Sequence, residues 1–273
     1  MKSSVVDKQT ELYEKIADTP RVFASTGFQE AFARLEFVVA ADHSLAIVTG
    51  DRGSGRSTLL REFARDARRR GDTACRLGLW GCDERSWWWN LAIGLGTNPP
   101  WSEGDFLLEY RVRDHLQQQR LLGRRTLLLL DDADQAGAAV RNSLLRLIKT
   151  PGQPLSVILA AETAGIMRLG TTLLQLGQLH IRLEAWTVTD IAAYLEQTPT
   201  PRDGSSAEFD DSAVARLAEL TCGLPREITQ LVEWVRLAAV IERCPQIDRL
   251  MVDEVFHQLC STADSQPACT AAS

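Results

Sequence analysis

The run Gly50-Asp51-Arg52-Gly53-Ser54-Gly55-Arg56-Ser57-Thr58 constrains this chain more than any other stretch. It follows the apolar segment Leu45-Ala46-Ile47-Val48-Thr49 and opens a helical pattern over residues 59–69. An apolar strand, a glycine-rich turn and a helix, in that order, is the context in which G-x-x-x-x-G-K-S/T marks a phosphate-binding loop. Gly50, Gly53 and Gly55 let successive backbone N–H groups turn toward a polyphosphate, with the positive end of the helix behind them. Ser57 stands where a hydroxyl reaches a magnesium ion, and Arg56 stands where the pattern has lysine. A guanidinium is wider and planar but still pairs with phosphate through two donors, so the charge is kept and its geometry changed.

An unbroken apolar run such as 45–49 reads as a strand buried on both faces of a parallel sheet. A helical pattern at 29–40 precedes this strand, and further strands are expected at 74–79, 127–130, 155–161 and 178–183, with helical patterns at 105–120 and 136–148 among them. A helical pattern at 81–96 contains Trp87-Trp88-Trp89. Neighbours on a helix lie about 100° apart, so the three cannot share one face, and at least one is expected to be exposed or in an interface. Loops are expected at 98–101, 150–154 and 198–207. From residue 184 only helices are expected, at 189–196, 210–220, 227–240 and 247–259. The fold class is therefore α/β, a parallel five-stranded sheet flanked by helices and followed by a small all-α domain. The organisation reads as a lead-in over 1–21, a nucleotide-binding α/β domain over 22–184, a helical lid over 185–260 and a disordered, small-residue-rich tail over 261–273.

The net charge of −6 and pI near 5.4 give no footprint of tight nucleic-acid binding. Lys2, Lys8, Lys15 and Lys149 are the only lysines, so an arginine at position 56 fits a chain-wide bias. The six cysteines form no C-x-x-C pair, and no apolar run approaches a membrane span of about 18 residues. A cytoplasmic protein with reduced thiols is the expectation.

Residues 50–58, the segment Leu127-Leu128-Leu129-Leu130-Asp131-Asp132 and the tetrad Gly223-Leu224-Pro225-Arg226 together resemble an AAA+ ATPase. Within that family the chain is most similar to the group of general secretion pathway ATPase A and transposition helper ATPases. The resemblance implies a RecA-like domain with a lid, ATP and Mg2+ as cofactors, and a homo-oligomer or a separate protein partner. It implies a Walker B role for Asp131, holding magnesium opposite Ser57. Asp132 stands where most relatives have the glutamate that activates water, and is one methylene shorter. Arg226 matches the sensor 2 arginine, and Glu162 or Thr163 matches sensor 1. For the arginine finger, Gln175-Leu176 stands where relatives carry Gln-Arg, leaving Arg168 and Arg182 as candidates. Val22 and Phe23 precede the first strand, where the family packs adenine. With Arg56, Asp132 and no matching finger, the expected activity is slow ATP hydrolysis that drives lid or partner rearrangement. One alternative is a nucleotide-sensing protein without meaningful catalysis; another is a DNA-associated ATPase of the transposition-helper kind, which the acidic pI disfavours.

Overall fold

The computed structural model describes residues 22–100, 102–150, 155–198 and 207–264, with side chains as far as residue 260. Expectations placed on 1–21, Trp101, 151–154, 199–206 and 265–273 lie outside the described residues. Helix α1 (Thr26–Ala40) starts three residues before the apolar pattern does, because the Ser25 hydroxyl accepts the Phe28 N–H at 3.3 Å and caps it. In chain order there follow β1 (Leu45–Gly50), α2 (Arg56–Arg69), β2 (Thr73–Gly78), α3 (Glu84–Gly94), α4 (Asp105–Leu121), β3 (Thr126–Asp131), α5 (Ala138–Ile148), β4 (Leu155–Glu162), α6 (Thr171–Leu176) and β5 (Leu179–Arg182).

All five strands run parallel, in the order β2-β3-β4-β1-β5. The three central strands are buried along their length apart from the half-buried Glu162 at the end of β4, and the edge strands β2 and β5 are only partly so. Period-two alternation splits the sheet into two apolar faces. Leu45, Ile47, Leu128, Leu130, Val157 and Leu159 pack with α3, α4 and α5 on one side. Ala46, Val48, Leu127, Leu129, Ile158 and Ala160 pack with α1 and α2 on the other. Trp87 and Trp88 are both buried and Trp89 is half-buried. Helix α3 is wedged between the sheet and α4, so its covered arc is wide enough to take Trp87, Trp88, Leu91, Ala92 and Leu95 together.

Beyond the sheet come α7 (Val188–Gln197), α8 (Asp211–Thr221), α9 (Pro225–Glu242) and α10 (Arg249–Asp264) around their own cluster of Ile191, Leu217, Ile228, Val232, Val235 and Val252. A parallel two-residue pair, β6 (Glu208–Phe209) with β7 (Gln246–Ile247), ties the segment before α8 to the segment before α10. Such short pairs carry no periodicity and are not foreseen from sequence. Helix α9 starts at Pro225, two residues early, since proline suits a first helical turn that needs no N–H. Helix α10 also corrects the expected tail: it continues through Asp264, because Ser261-Thr262-Ala263-Asp264 contains neither glycine nor proline to stop it.

Asp190 ties this unit to α1. One carboxylate oxygen accepts from the Thr187 N–H at 3.0 Å and hydroxyl at 2.8 Å, while the Thr187 hydroxyl accepts the Asp190 N–H, closing a capping box. The other oxygen accepts the Thr26 N–H at 3.2 Å. Burial works to raise the Asp190 pKa, but the Thr187 and Thr26 hydrogen bonds outweigh it and hold the carboxyl below its ordinary range. Asp190→Ala is therefore expected to cost about 1 kcal/mol at neutral pH. A depressed carboxylate stabilises above the unfolded pKa and loses that effect as pH falls through the folded value. Melting curves of parent and variant should thus converge below about pH 4.

Candidate functional site

The carboxyl ends of β1, β3 and β4 form one edge of the sheet, where open parallel sheets place their ligands. Gly50 closes β1 and is in register with Glu162 on β4, while Asp131 ends β3. A Cβ on Gly50 would lie 2.4 Å from Ser54 Oγ and 3.2 Å from Leu183 Cβ, so any side chain there would push the buried Ser54 hydroxyl aside. Gly53 (φ +88°) and Gly55 (φ +98°) both take the left-handed conformation that glycine adopts at least cost.

Gly55 caps α2 without any side-chain hydrogen bond, and no acidic residue lies in the first turn. Arg56 is the first helical residue, and its Nη1 is buried without a hydrogen-bond partner. This is an uphill arrangement twice over. A cation stands at the positive end of a helix dipole, and a guanidinium nitrogen has left water for nothing. Both costs vanish when an anion sits on the loop. The Ser54 hydroxyl is likewise buried without a partner. Asp51, Arg52 and Ser57 are exposed; Thr58 is half-buried.

Opposite the loop, Asp131 is buried and its Oδ1 accepts the Asp132 N–H at 3.1 Å. Asp132 adopts φ 51°, ψ 40°, a left-handed conformation rare for a residue with a side chain. Burial pushes its carboxyl above the ordinary range, the neighbouring Asp131 adds to this, and the Arg56 guanidinium opposes it. The Thr163 hydroxyl, just past β4, is buried and unpaired.

Arg226 comes to the loop from α9: its N–H donates to the Gly53 carbonyl at 3.2 Å, and its Cβ would be 3.2 Å from a Cβ on Gly53. The side chain is exposed. Gly223 holds this approach, accepting the Trp186 N–H at 2.8 Å. Phe23 packs edge-on against Trp186 and Tyr194, with ring centroids 5.0 and 5.6 Å away. The two finger candidates each lie near an acid. Arg168 is 3.9 Å from Asp134 and Arg182 is 3.5 Å from Glu184. Asp134, on the turn Ala133–Gln135, was not foreseen as part of this edge; it is buried and accepts the Glu162 N–H at 3.2 Å. Nothing in Asp131-Asp132-Ala133-Asp134-Gln135 sets this acid apart from the two before it.

Residues 40–169 match a family model described as AAA domain. Over those residues the chain carries an AAA domain. The solved structures similar to this chain include the Aeropyrum pernix ORC1 protein in complex with DNA (TM-score 0.62, 17% identity, 88% of this chain and 68% of that one). They also include the Thermotoga maritima RuvB Holliday junction branch migration motor (0.59, 16%, 85% and 69%). A third is Drosophila ORC bound to DNA (0.64, 16%, 87% and 61%). At these identities the likeness is one of fold, and it extends through the C-terminal helices as well as the sheet. No curated protein sequence matches the chain. Among the described residues no helix is long and apolar enough to cross a membrane.

Proposed function

We propose that this AAA+ chain binds Mg-ATP on residues 50–58 and hydrolyses it slowly, using the nucleotide to set the position of its C-terminal helices. The observation that carries the reading is the buried, unpartnered Arg56 Nη1 at the uncapped start of α2. The residues fit the group: two left-handed glycines fold the loop back toward the sheet edge, and the Ser54 hydroxyl and Arg56 Nη1 are buried side-chain donors with no partner inside the protein. Gly50, Asp51, Arg52, Gly53, Ser54, Gly55, Arg56, Ser57 and Thr58 form the phosphate cradle, and Ser57 with Asp131 holds the magnesium ion. When bound, Mg-ATP supplies the electrophilic γ-phosphoryl group.

Asp132 orients the attacking water and Arg226 answers to the γ-phosphate from the lid. The Arg226 N–H on Gly53 already gives the loop and α9 a shared contact, so a change in the loop reaches the lid directly. Slow turnover follows from geometry. Asp132 is one methylene shorter than the glutamate of the pattern, and general-base geometry tolerates little displacement. Arg56 spreads its charge over a plane where a compact ammonium fits between phosphates. The double variant Arg56→Lys, Asp132→Glu is expected to release phosphate about tenfold faster than the parent or more, with little change in affinity. Equal steady-state rates contradict the account of slowness.

A second reading is association with DNA. It is favoured by the fold shared along 85–88% of this chain with ORC1 and ORC structures that contain DNA and with a branch-migration motor. The net charge of −6 opposes it. Retention on DNA that weakens steeply with salt supports this reading, and no retention at about 50 mM salt removes it. The ATP reading also includes assembly into a homo-oligomer, with Arg168 or Arg182 offered to a neighbouring copy, or onto a separate protein partner.

A further inference from the structure

Asp134 is, with Asp131, one of two buried acids among the described residues and the more enclosed of them, at 3% exposure. Its Oδ1 accepts the Glu162 N–H at 3.2 Å, across 28 residues of chain. Its Oδ2 accepts from Gln135 Nε2 at 2.8 Å, and Arg168 Nη1 lies 3.9 Å away. Gly165 is packed so closely that a Cβ there would be 2.3 Å from Oδ2. One carboxylate therefore fastens the turn after β3 to the turn after β4 and excludes any side chain from the joint.

The turn it fastens is the one that carries Asp132 in its left-handed conformation. Such a pose costs an ordinary residue about 1–2 kcal/mol, and it persists only where the surroundings over-determine it. The local bonds, Asp132 N–H to Asp131 Oδ1 and Gln135 N–H to the Asp132 carbonyl at 2.9 Å, stay within the turn and do not fix it to the sheet. Asp134 does. We propose that Asp134 is a positioning residue: by accepting the Glu162 N–H it locks the Asp131-Asp132 turn to the end of β4 and so sets where Asp132 meets the phosphate edge. The proposal rests on reading that edge as the ATP site with Asp132 orienting water.

Three variants test it: Asp134→Ala, Asp134→Asn and Gly165→Ala. Each is measured for Mg-ATP affinity, for kcat, and for hydrogen exchange of the Glu162 amide in the nucleotide-free protein. Asp134→Ala is expected to lower kcat by about 10- to 100-fold while Mg-ATP affinity stays within about twofold, and to speed exchange at Glu162. Asparagine keeps an acceptor for that N–H and should restore most of kcat. Gly165→Ala leaves Asp134 in place but wedges the joint, and should reproduce the alanine phenotype; it decides the matter should Asp134→Ala fail to fold. Turnover in Asp134→Ala equal to the parent's overturns the proposal, as does an asparagine variant as impaired as alanine, which would assign the effect to charge. If the parent binds no ATP or does not turn it over, the fault lies with the ATP reading. Exchange at Glu162 then decides alone: unchanged protection in Asp134→Ala overturns the tie.

Discussion

Arg56→Ala is expected to remove most of the thermal shift that Mg-ATP gives the parent, while leaving the nucleotide-free protein as stable as before or more so. At a hundredfold excess over Kd a ligand stabilises by about 2.7 kcal/mol, which for a chain of this size raises Tm by about 5–10 °C. A charged hydrogen bond to phosphate contributes about 1.5–3 kcal/mol, so its loss weakens binding by about 10- to 100-fold. The second half of the expectation separates a binding role from a structural one. Within the protein Arg56 Nη1 is buried without a partner and stands at the positive end of α2. Removing it relieves both costs, whereas removing a structural arginine would unpair something. Scanning calorimetry with and without Mg-ATP reads both halves. A variant that melts several degrees below the parent in the absence of nucleotide would make Arg56 a structural residue.

Gly223→Val is expected to cost about 2–4 kcal/mol and to loosen the C-terminal helices from the loop. Gly223 has φ +70°, and a Cβ there would be 2.5 Å from the Trp186 carbonyl oxygen and 3.1 Å from Ala185 Cβ. Backbone cannot yield as a flexible side chain can. The displaced segment includes the Trp186 N–H to Gly223 hydrogen bond at 2.8 Å and, three residues on, the Arg226 N–H to Gly53 bond at 3.2 Å. The variant should therefore melt roughly 5–10 °C lower. It should also bind Mg-ATP more weakly, although residue 223 is not one of the residues that form the phosphate loop. Limited proteolysis should cut first between the sheet and α7. Unchanged melting and affinity would mean that the Gly223 joint does not hold Arg226 to the loop.

The sheet was legible because its strands are buried on both faces and read as unbroken apolar runs: Leu45 to Thr49, Leu127 to Leu130, Leu155 to Ala161. The glycine-rich turn between β1 and α2 was legible because Gly50, Gly53 and Gly55 are contiguous with the strand and helix patterns, and the oddity of Arg56 was visible by its place among them. What sequence could not supply is what distant segments do to one another. Asp134 reads as one more acid in Asp131-Asp132-Ala133-Asp134, and only the fold brings the Glu162 N–H to it. The unpaired state of Arg56 Nη1 is a property of its burial and not of its identity. Trp87 and Trp88 share a buried arc because α4 covers the side of α3 that the sheet leaves open, a fact of helix packing. Helix ends slipped by two to five residues wherever a cap, a proline or the absence of a breaker decided the end: Ser25 for α1, Pro225 for α9, Asp264 for α10.

The central claim is that an anion completes what Arg56 leaves unfinished, and that the anion is the polyphosphate of ATP. Equilibrium titration of the purified chain with ATP in the presence of Mg2+, beside Arg56→Ala, tests it most directly. The account predicts saturable binding to the parent, weakened at least about tenfold in the variant. No binding to the parent, or binding that Arg56→Ala leaves untouched, would contradict it.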